Sequence, residues 1–349
     1  MKDTGNSSWW TEFNSEVLSV RPNVEDGLET APENCPYPAL EDIQRGQEEL
    51  LGRYSLSEDQ IQSFRQKRYV RLPDVIPQSV VSAVRYEIIK LVQPAFKGKN
   101  PSESGVVKPP AGTILKGAEA AQLWEQIAEP ACKSWNLQMM WAVNKVIRQL
   151  VLAPRIGQIV SELFGCDKVR LYHDNTLSKV PGCPHTRWHC DDGPKGYMAM
   201  GSQNVVTVWI PLQRTTVRTG TLVFAEGINA WDVAAQEGCP GNEQSEEYDR
   251  FVAKHMEEQG IQPDVAGYEI GDISIHATDC FHMATPNHTT GVRMILASTY
   301  FQDGVAMRED KNLQAIDKAV LRDWSRFAPN VQPGQEIATK FNPVLPPVA

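Results

Sequence analysis

The run Gly271-Asp272-Ile273-Ser274-Ile275-His276-Ala277-Thr278-Asp279-Cys280-Phe281-His282-Met283-Ala284-Thr285-Pro286-Asn287 leads through Thr289-Thr290-Gly291-Val292-Arg293 into Met294-Ile295-Leu296-Ala297-Ser298-Thr299-Tyr300-Phe301. Two β-rich segments, Tyr268 to His276 at its start and Val292 to Phe301 at its end, flank turn-forming residues, and each reads as a strand. Upstream, Val169 to His173, Thr186 to Cys190, Val205 to Leu212 and Thr221 to Ala225 have the same short, β-branched or aromatic character. Before Cys166 the spacing is helical instead. Ser57 and Gln60 predict a capping box for a short helix with Ile61 and Phe64 inward. Tyr69 to Leu72 is strand-like, and Pro77 opens a helix that buries Val80, Val81, Val84, Ile88 and Leu91. Two more helices are expected, about Trp135 to Leu150 and Pro154 to Phe164, the second stopped by Gly165. Helices first and strands after, with no linker between, predict a mainly β fold with flanking helices, a sandwich or jelly roll.

The expected organisation is an arm over 1–54, a domain over 55–302 and an extension over 303–349. Within the domain, 55–165 is the helical part. Residues 166–302 are the strand core, with a polar insertion at 229–264 that holds a helix near Gln244 to Glu258. Lys97 to Gly117, dense in Lys, Pro, Ser and Gly, reads as a long loop and is the first choice for a substrate contact. Of the 349 residues, 41% are hydrophobic and 22% charged, enough apolar material for a core. A net charge of -9 makes nucleic acid an unexpected partner. No apolar run approaches the roughly 20 residues that span a bilayer, so no membrane partner is expected. Met1 to Phe13 lacks an apolar signal core, and Cys35, Cys132, Cys166, Cys183, Cys190, Cys239 and Cys280 are odd in number and unclustered. Both point to a cytoplasmic protein with reduced thiols. The oligomeric state is not legible.

His189-Cys190-Asp191 carries the first chemical signal. Residues two apart on a strand share a face, so His189 and Asp191 converge while Cys190 and Asp192 turn away. Alone the pair is weak and better describes an ordinary surface strand. His282 supplies a second imidazole. Two His and one carboxylate on one face of an iron leave three positions open, enough for a 2-oxoacid held through two oxygens and for dioxygen. Arg293 shares its strand face with Ile295, Ala297 and Thr299 and points inward. A guanidinium there needs an anion, either an internal Asp or Glu or the far carboxylate of a bound dicarboxylate.

These blocks resemble the phytanoyl-CoA dioxygenase family of iron(II)- and 2-oxoglutarate-dependent oxygenases, from about Leu56 to Phe301. The likeness is carried by Leu56 to Pro73, Lys179-Val180-Pro181-Gly182, Trp188 to Asp191, Val206 to Leu212, Thr219 to Gly227 and Gly271 to Arg293. The resemblance implies a double-stranded β-helix, or cupin-like jelly roll. It implies His189, Asp191 and His282 on iron(II) and Arg293 on the distal carboxylate of 2-oxoglutarate. Thr207, Thr285 and Lys179 are candidate cosubstrate contacts. Ala284 fills the position where the family often has Ser, and Asn229 stands where many members carry His. Arg187 is read as meeting an anion or as a solvated strand charge, and His276 as structural or adjoining the site. His173, His185, His255 and His288 are read as ordinary. Trp135, Trp141 and Trp209 are expected in packed core. The implied reaction couples oxidation of 2-oxoglutarate by dioxygen, to succinate and carbon dioxide, to hydroxylation or another C–H oxidation of a small molecule. Two rivals are a halogenase, which the retained Asp191 disfavours, and a jelly roll that binds metal or ligand without turnover.

Overall fold

The computed structural model describes residues 37–96, 128–129, 134–179, 182–192, 198–200, 204–241, 245–289, 291–309 and 324–348. The Lys97 to Gly117 loop lies outside them. Helices α1 (Leu40–Glu49), α2 (Glu58–Lys67) and α3 (Gln78–Phe96) come first, with β1 (Tyr69–Leu72) after α2. Strands β2 (Ala128–Glu129) and β3 (Ser134–Gln138) precede helices α4 (Met140–Val143), α5 (Lys145–Val151) and α6 (Pro154–Phe164). Then come β4 (Val169–Lys179), β5 (Thr186–His189), β6 (Val205–Pro211) and β7 (Leu222–Asn229). Helices α7 (Ala230–Ala234) and α8 (Glu246–Glu258) follow, and β8 (Pro263–Val265), β9 (Ile273–Ala277), β10 (Cys280–Ala284) and β11 (Arg293–Gln302) complete the order.

Two sheets form, one in the order β1-β9-β6-β11-β4-β3-β2 and one in the order β5-β10-β7-β8. From β4 onward the chain passes from one sheet to the other and back, and every described pairing is antiparallel. That winding is the double-stranded β-helix, a jelly roll whose larger sheet is extended by β1 at one edge and by β3 and β2 at the other. Helices α3, α5 and α6 cover the outer face of the larger sheet: Val81, Val84, Ile88, Ile147, Leu150, Ile159 and Val160 are buried with Leu171, Val206, Val208, Ile275 and Leu296. The inner faces of the two sheets are left to line the cavity between them.

Several local expectations hold for their stated reasons. Ser57 and Gln60 form the reciprocal capping box, Phe64 is buried, and Gly165 ends α6 at φ 68°. That left-handed conformation is one a side chain with a Cβ adopts only at a cost. The helix expected over Trp135 to Leu150 is wrong at its start. Ser134–Gln138 is a strand paired with β4, and the helical part is two short pieces. Asp174 on β4 causes the break: its carboxylate accepts the Met140 and Trp141 amides at 3.0 and 3.2 Å, so helix begins only there. Asn144 then caps α5 through the Ile147 amide. Within the 1–54 arm, Leu40–Glu49 is helical and anchors Ile43 and Leu50, a pattern too short to stand out by period. The strand expected over Tyr268 to His276 spans only Ile273–Ala277, and β10 follows as a separate strand after a turn at Thr278 and Asp279. Strand β7 runs on to Asn229, which shortens the insertion at its start. No helix among the described residues is long and apolar enough to cross a membrane.

Candidate functional site

Pairing of β10 with β5 sets His282 directly opposite His189, with ring centroids 4.2 Å apart. Each ring is oriented by a backbone carbonyl two residues before it. His189 Nδ1 donates to Arg187 O at 2.8 Å, and His282 Nδ1 to Cys280 O at 3.0 Å. With Nδ1 holding the proton, Nε2 of each ring is left as the lone pair that a metal binds. Asp191 stands just past the end of β5, with Oδ1 3.9 Å from His282 Nε2. Donor atoms of His189, Asp191 and His282 lie within 4.8 Å of one another, so one ion between them reaches all three. Asp192 is indeed turned away, and its carboxylate accepts from Arg308 at 3.1 Å.

Beneath these residues a polar row crosses the larger sheet in register: His276 on β9, Thr207 on β6, Thr299 on β11 and His173 on β4. Thr207 Oγ1 donates to Asp191 Oδ2 at 2.7 Å, and His276 Nε2 lies 3.4 Å from the same oxygen. Both of these contacts fall on Oδ2, and Oδ1 is the oxygen nearer His282. Burial raises the Asp191 carboxyl, but the close approach of His276 and the His282 and His189 rings outweigh it and hold the group well below the usual carboxylate range. Burial, followed by the neighbouring His189 and His276, holds His282 well below the usual imidazole range. One anionic and one neutral donor are what a first-row divalent ion requires of such residues.

The same cavity, about 480 Å³, ends at Arg293 and Lys179. These two cations are direct cross-strand partners on β11 and β4, a placement that is unfavourable unless something negative lies between or above them. Lys179 Nζ donates to three carbonyls, of Pro184 at 2.9 Å, Thr285 at 3.0 Å and Ala284 at 3.3 Å. Arg293 is only 4% exposed; its Nη1 donates to Leu177 O at 3.3 Å, and its Nε has no partner. Among the described residues no carboxylate pairs with either cation. Burial pushes the Arg293 guanidinium down to about 10, and burial, followed by the Arg293 charge, lowers Lys179 well below the ordinary ammonium range. Gly220, at φ 97°, lies so close over them that a Cβ there would stand 3.2 Å from Arg293 Nε and 3.3 Å from Lys179.

Of the remaining expectations, Thr285 is buried, but its hydroxyl is not part of the cavity wall; its carbonyl serves Lys179 instead. Arg187, partly exposed, does meet an anion, the Asp249 carboxylate at 2.6 Å. Trp141 is core, as expected. Trp209 is packed in a buried cluster too, 3% exposed, and it also lines the cavity with its ring centroid 6.0 Å from the Arg293 guanidinium carbon. The side chains of Trp135 and Asn229 lie outside those described. His173 also lines the cavity, with Asn175, Leu177 and Lys179 on the same face of β4. The alternation was there to be followed, but Asp174-Asn175-Thr176 resembles a turn and cut the expected strand at His173.

The family model described as phytanoyl-CoA dioxygenase (PhyH) matches residues 64–295. No curated protein matches the chain. Among solved structures it is similar to the non-haem alpha ketoglutarate (2-oxoglutarate) dependent carbocyclase SnoK from nogalamycin biosynthesis, at 20% identity and TM-score 0.57, over 84% of this chain and 97% of that one. The epimerase SnoN in complex with Fe3+, alpha ketoglutarate and nogalamycin RO is 16% identical, with TM-score 0.56 over 83% and 98%. EctD from S. alaskensis with 2-oxoglutarate and 5-hydroxyectoine is 15% identical, with TM-score 0.53 over 86% and 92%. At these identities the likeness is one of fold.

Proposed function

The chain belongs to the phytanoyl-CoA dioxygenase family, a family of non-haem iron and 2-oxoglutarate-dependent oxygenases, and we propose that it oxidises a C–H bond of a small-molecule metabolite at the His189, Asp191 and His282 cluster. The observation that carries this reading is the pairing, in one cavity, of three converging donors with a buried guanidinium that has no carboxylate partner among the described residues. A dicarboxylate supplies what both ends lack. One end can chelate the metal, and the other can meet Arg293 through parallel hydrogen bonds. When bound, iron(II) with 2-oxoglutarate and dioxygen supplies the oxidising chemistry, releasing succinate and carbon dioxide.

The chain's own groups divide the remaining work. Arg187 and Cys280 carbonyls fix the two rings, Thr207 holds one oxygen of Asp191 with His276 beside it, and Lys179 ties the end of β4 to β10 through the Ala284 carbonyl while adding positive charge beside Arg293. Thr207 thus acts on the metal ligand rather than on the cosubstrate. Replacing it with Val removes that hydrogen bond at nearly constant volume. Metal affinity is expected to fall by about 10–100-fold, as read by titration with iron(II) under argon. We take 55–302 as the catalytic domain, flanked by 1–54 and 303–349. SnoN and EctD are each described with a small organic molecule bound, which favours a small metabolite here too. The test is succinate release from 2-oxoglutarate in air by iron-loaded protein across fractionated metabolites. A fraction that stimulates succinate and is itself consumed supports the reading; metal binding with no succinate from any fraction contradicts it.

A further inference from the structure

Helix α8 belongs to the polar insertion, far in sequence from the metal cluster, yet it places one carboxylate against the strand that bears His189. Asp249, 3% exposed, has three partners there. Its Oδ1 accepts the Trp188 amide at 3.1 Å, and its Oδ2 accepts from Arg187 Nη1 at 2.6 Å and faces His185 Nε2 at 3.2 Å. The Trp188 N–H and the Arg187 C=O are two ends of one peptide group. The N–H end is bound by the Asp249 carboxylate, and the C=O end accepts the Nδ1–H of His189 at 2.8 Å. Carboxylate, peptide and imidazole therefore form one line of hydrogen bonds that ends at His189 Nδ1, on the ring whose Nε2 faces the metal position.

We propose that Asp249 is a positioning residue for the metal centre, acting through the Arg187–Trp188 peptide in the way a carboxylate acts directly on a metal-bound histidine. Ionised carboxylates make the stronger hydrogen bonds, and each bond in such a chain polarises the next. The Arg187 carbonyl becomes a better acceptor, the His189 ring is held in one tautomer and orientation, and its Nε2 becomes a better donor to metal. His282 receives no such support among the described contacts: its Nδ1 meets the Cys280 carbonyl. The insertion that carries α8 thereby has a task at the metal site, which is to clamp one edge of it. This inference rests on the assignment of His189 and His282 as ligands.

The probe is Co(II) added to the full chain, with binding followed by visible absorption and the ring protons of bound histidines by paramagnetically shifted proton resonances. Wild-type protein should show two exchangeable Nδ1–H signals, and their absence would overturn the ligand assignment itself before any variant is made. Asp249→Asn keeps the shape of the side chain and removes the charge. It is expected to weaken Co(II) by about tenfold and to shift or broaden one of the two signals while the other stays in place. Asp249→Ala should do the same more strongly, and if it does not fold the Asn variant carries the test alone. Affinity within twofold of wild type with both signals unmoved would overturn the proposal. So would equal disturbance of both signals together with a lowered melting temperature, which would make Asp249 a support of the fold only.

Discussion

Replacing Arg293 with Leu raises the dissociation constant for 2-oxoglutarate by about a hundredfold or more, leaves iron affinity within a few-fold of wild type, and makes the empty protein more stable. The first effect follows from the loss of a desolvated partner for a carboxylate. Truncating one side of a buried, hydrogen-bonded charge pair costs about 2–5 kcal/mol, and every 1.4 kcal/mol is tenfold in affinity. The second follows because Arg293 is not among the metal-binding donors. The third has the opposite sign to most core substitutions. In the unliganded protein Arg293 is a buried cation placed cross-strand from Lys179, with no carboxylate among the described residues to offset it. Leu is shorter than Arg, but it removes that repulsion and the desolvation cost, and replacing buried ionic groups with apolar ones is worth about 1–4 kcal/mol. Calorimetric titration with 2-oxoglutarate and urea unfolding of the empty protein read the two effects separately. Unchanged cosubstrate affinity would move the anchor elsewhere, and a marked loss of stability would show that Arg293 serves the fold.

Replacing Asp191 with Ala takes turnover below detection and weakens iron by more than about a hundredfold, since disturbing groups that merely orient a ligand already costs 10–100-fold. Asp191 is the one carboxylate in the cluster, and among the described residues the adjacent Asp192 is not placed to substitute for it. Asp192 is engaged by Arg308, with its amide tied to the Thr278 carbonyl at 2.6 Å. The substitution also strips Thr207 of its acceptor and His276 of its anionic neighbour. Wild-type turnover in this variant would remove Asp191 from the ligand set, and iron binding at wild-type strength would do the same.

What could be read beforehand was mostly local. A period of two placed His189 with Asp191 and set Arg293 on an inward face, because alternation along a strand needs no knowledge of its neighbours. Capping at Ser57 and the stop at Gly165 were legible for the same reason. The convergence of His189 with His282 was not a matter of spacing: 93 residues apart in the chain, they meet only because β5 and β10 pair in one register. Lys179 opposite Arg293 and the row from His276 to His173 are likewise products of register. Asp174 misled in both directions. As a polar residue in Asp174-Asn175-Thr176 it imitated a turn and shortened β4, while its carboxylate, aimed at the Met140 and Trp141 amides, ended the run that looked like one long helix. Asp249 carried no signal at all, since an acidic residue in the first turn of a polar helix is ordinary on dipole grounds.

The most direct test of the central claim is to add 2-oxoglutarate to anaerobic, iron(II)-loaded protein and record the visible spectrum, beside the Asp191→Ala variant treated identically. A weak metal-to-ligand charge-transfer band toward the red that forms in wild type and is absent from the variant is the predicted result, placing both metal and cosubstrate at this cluster. Iron shown to be bound, with no band on adding 2-oxoglutarate, would contradict the account.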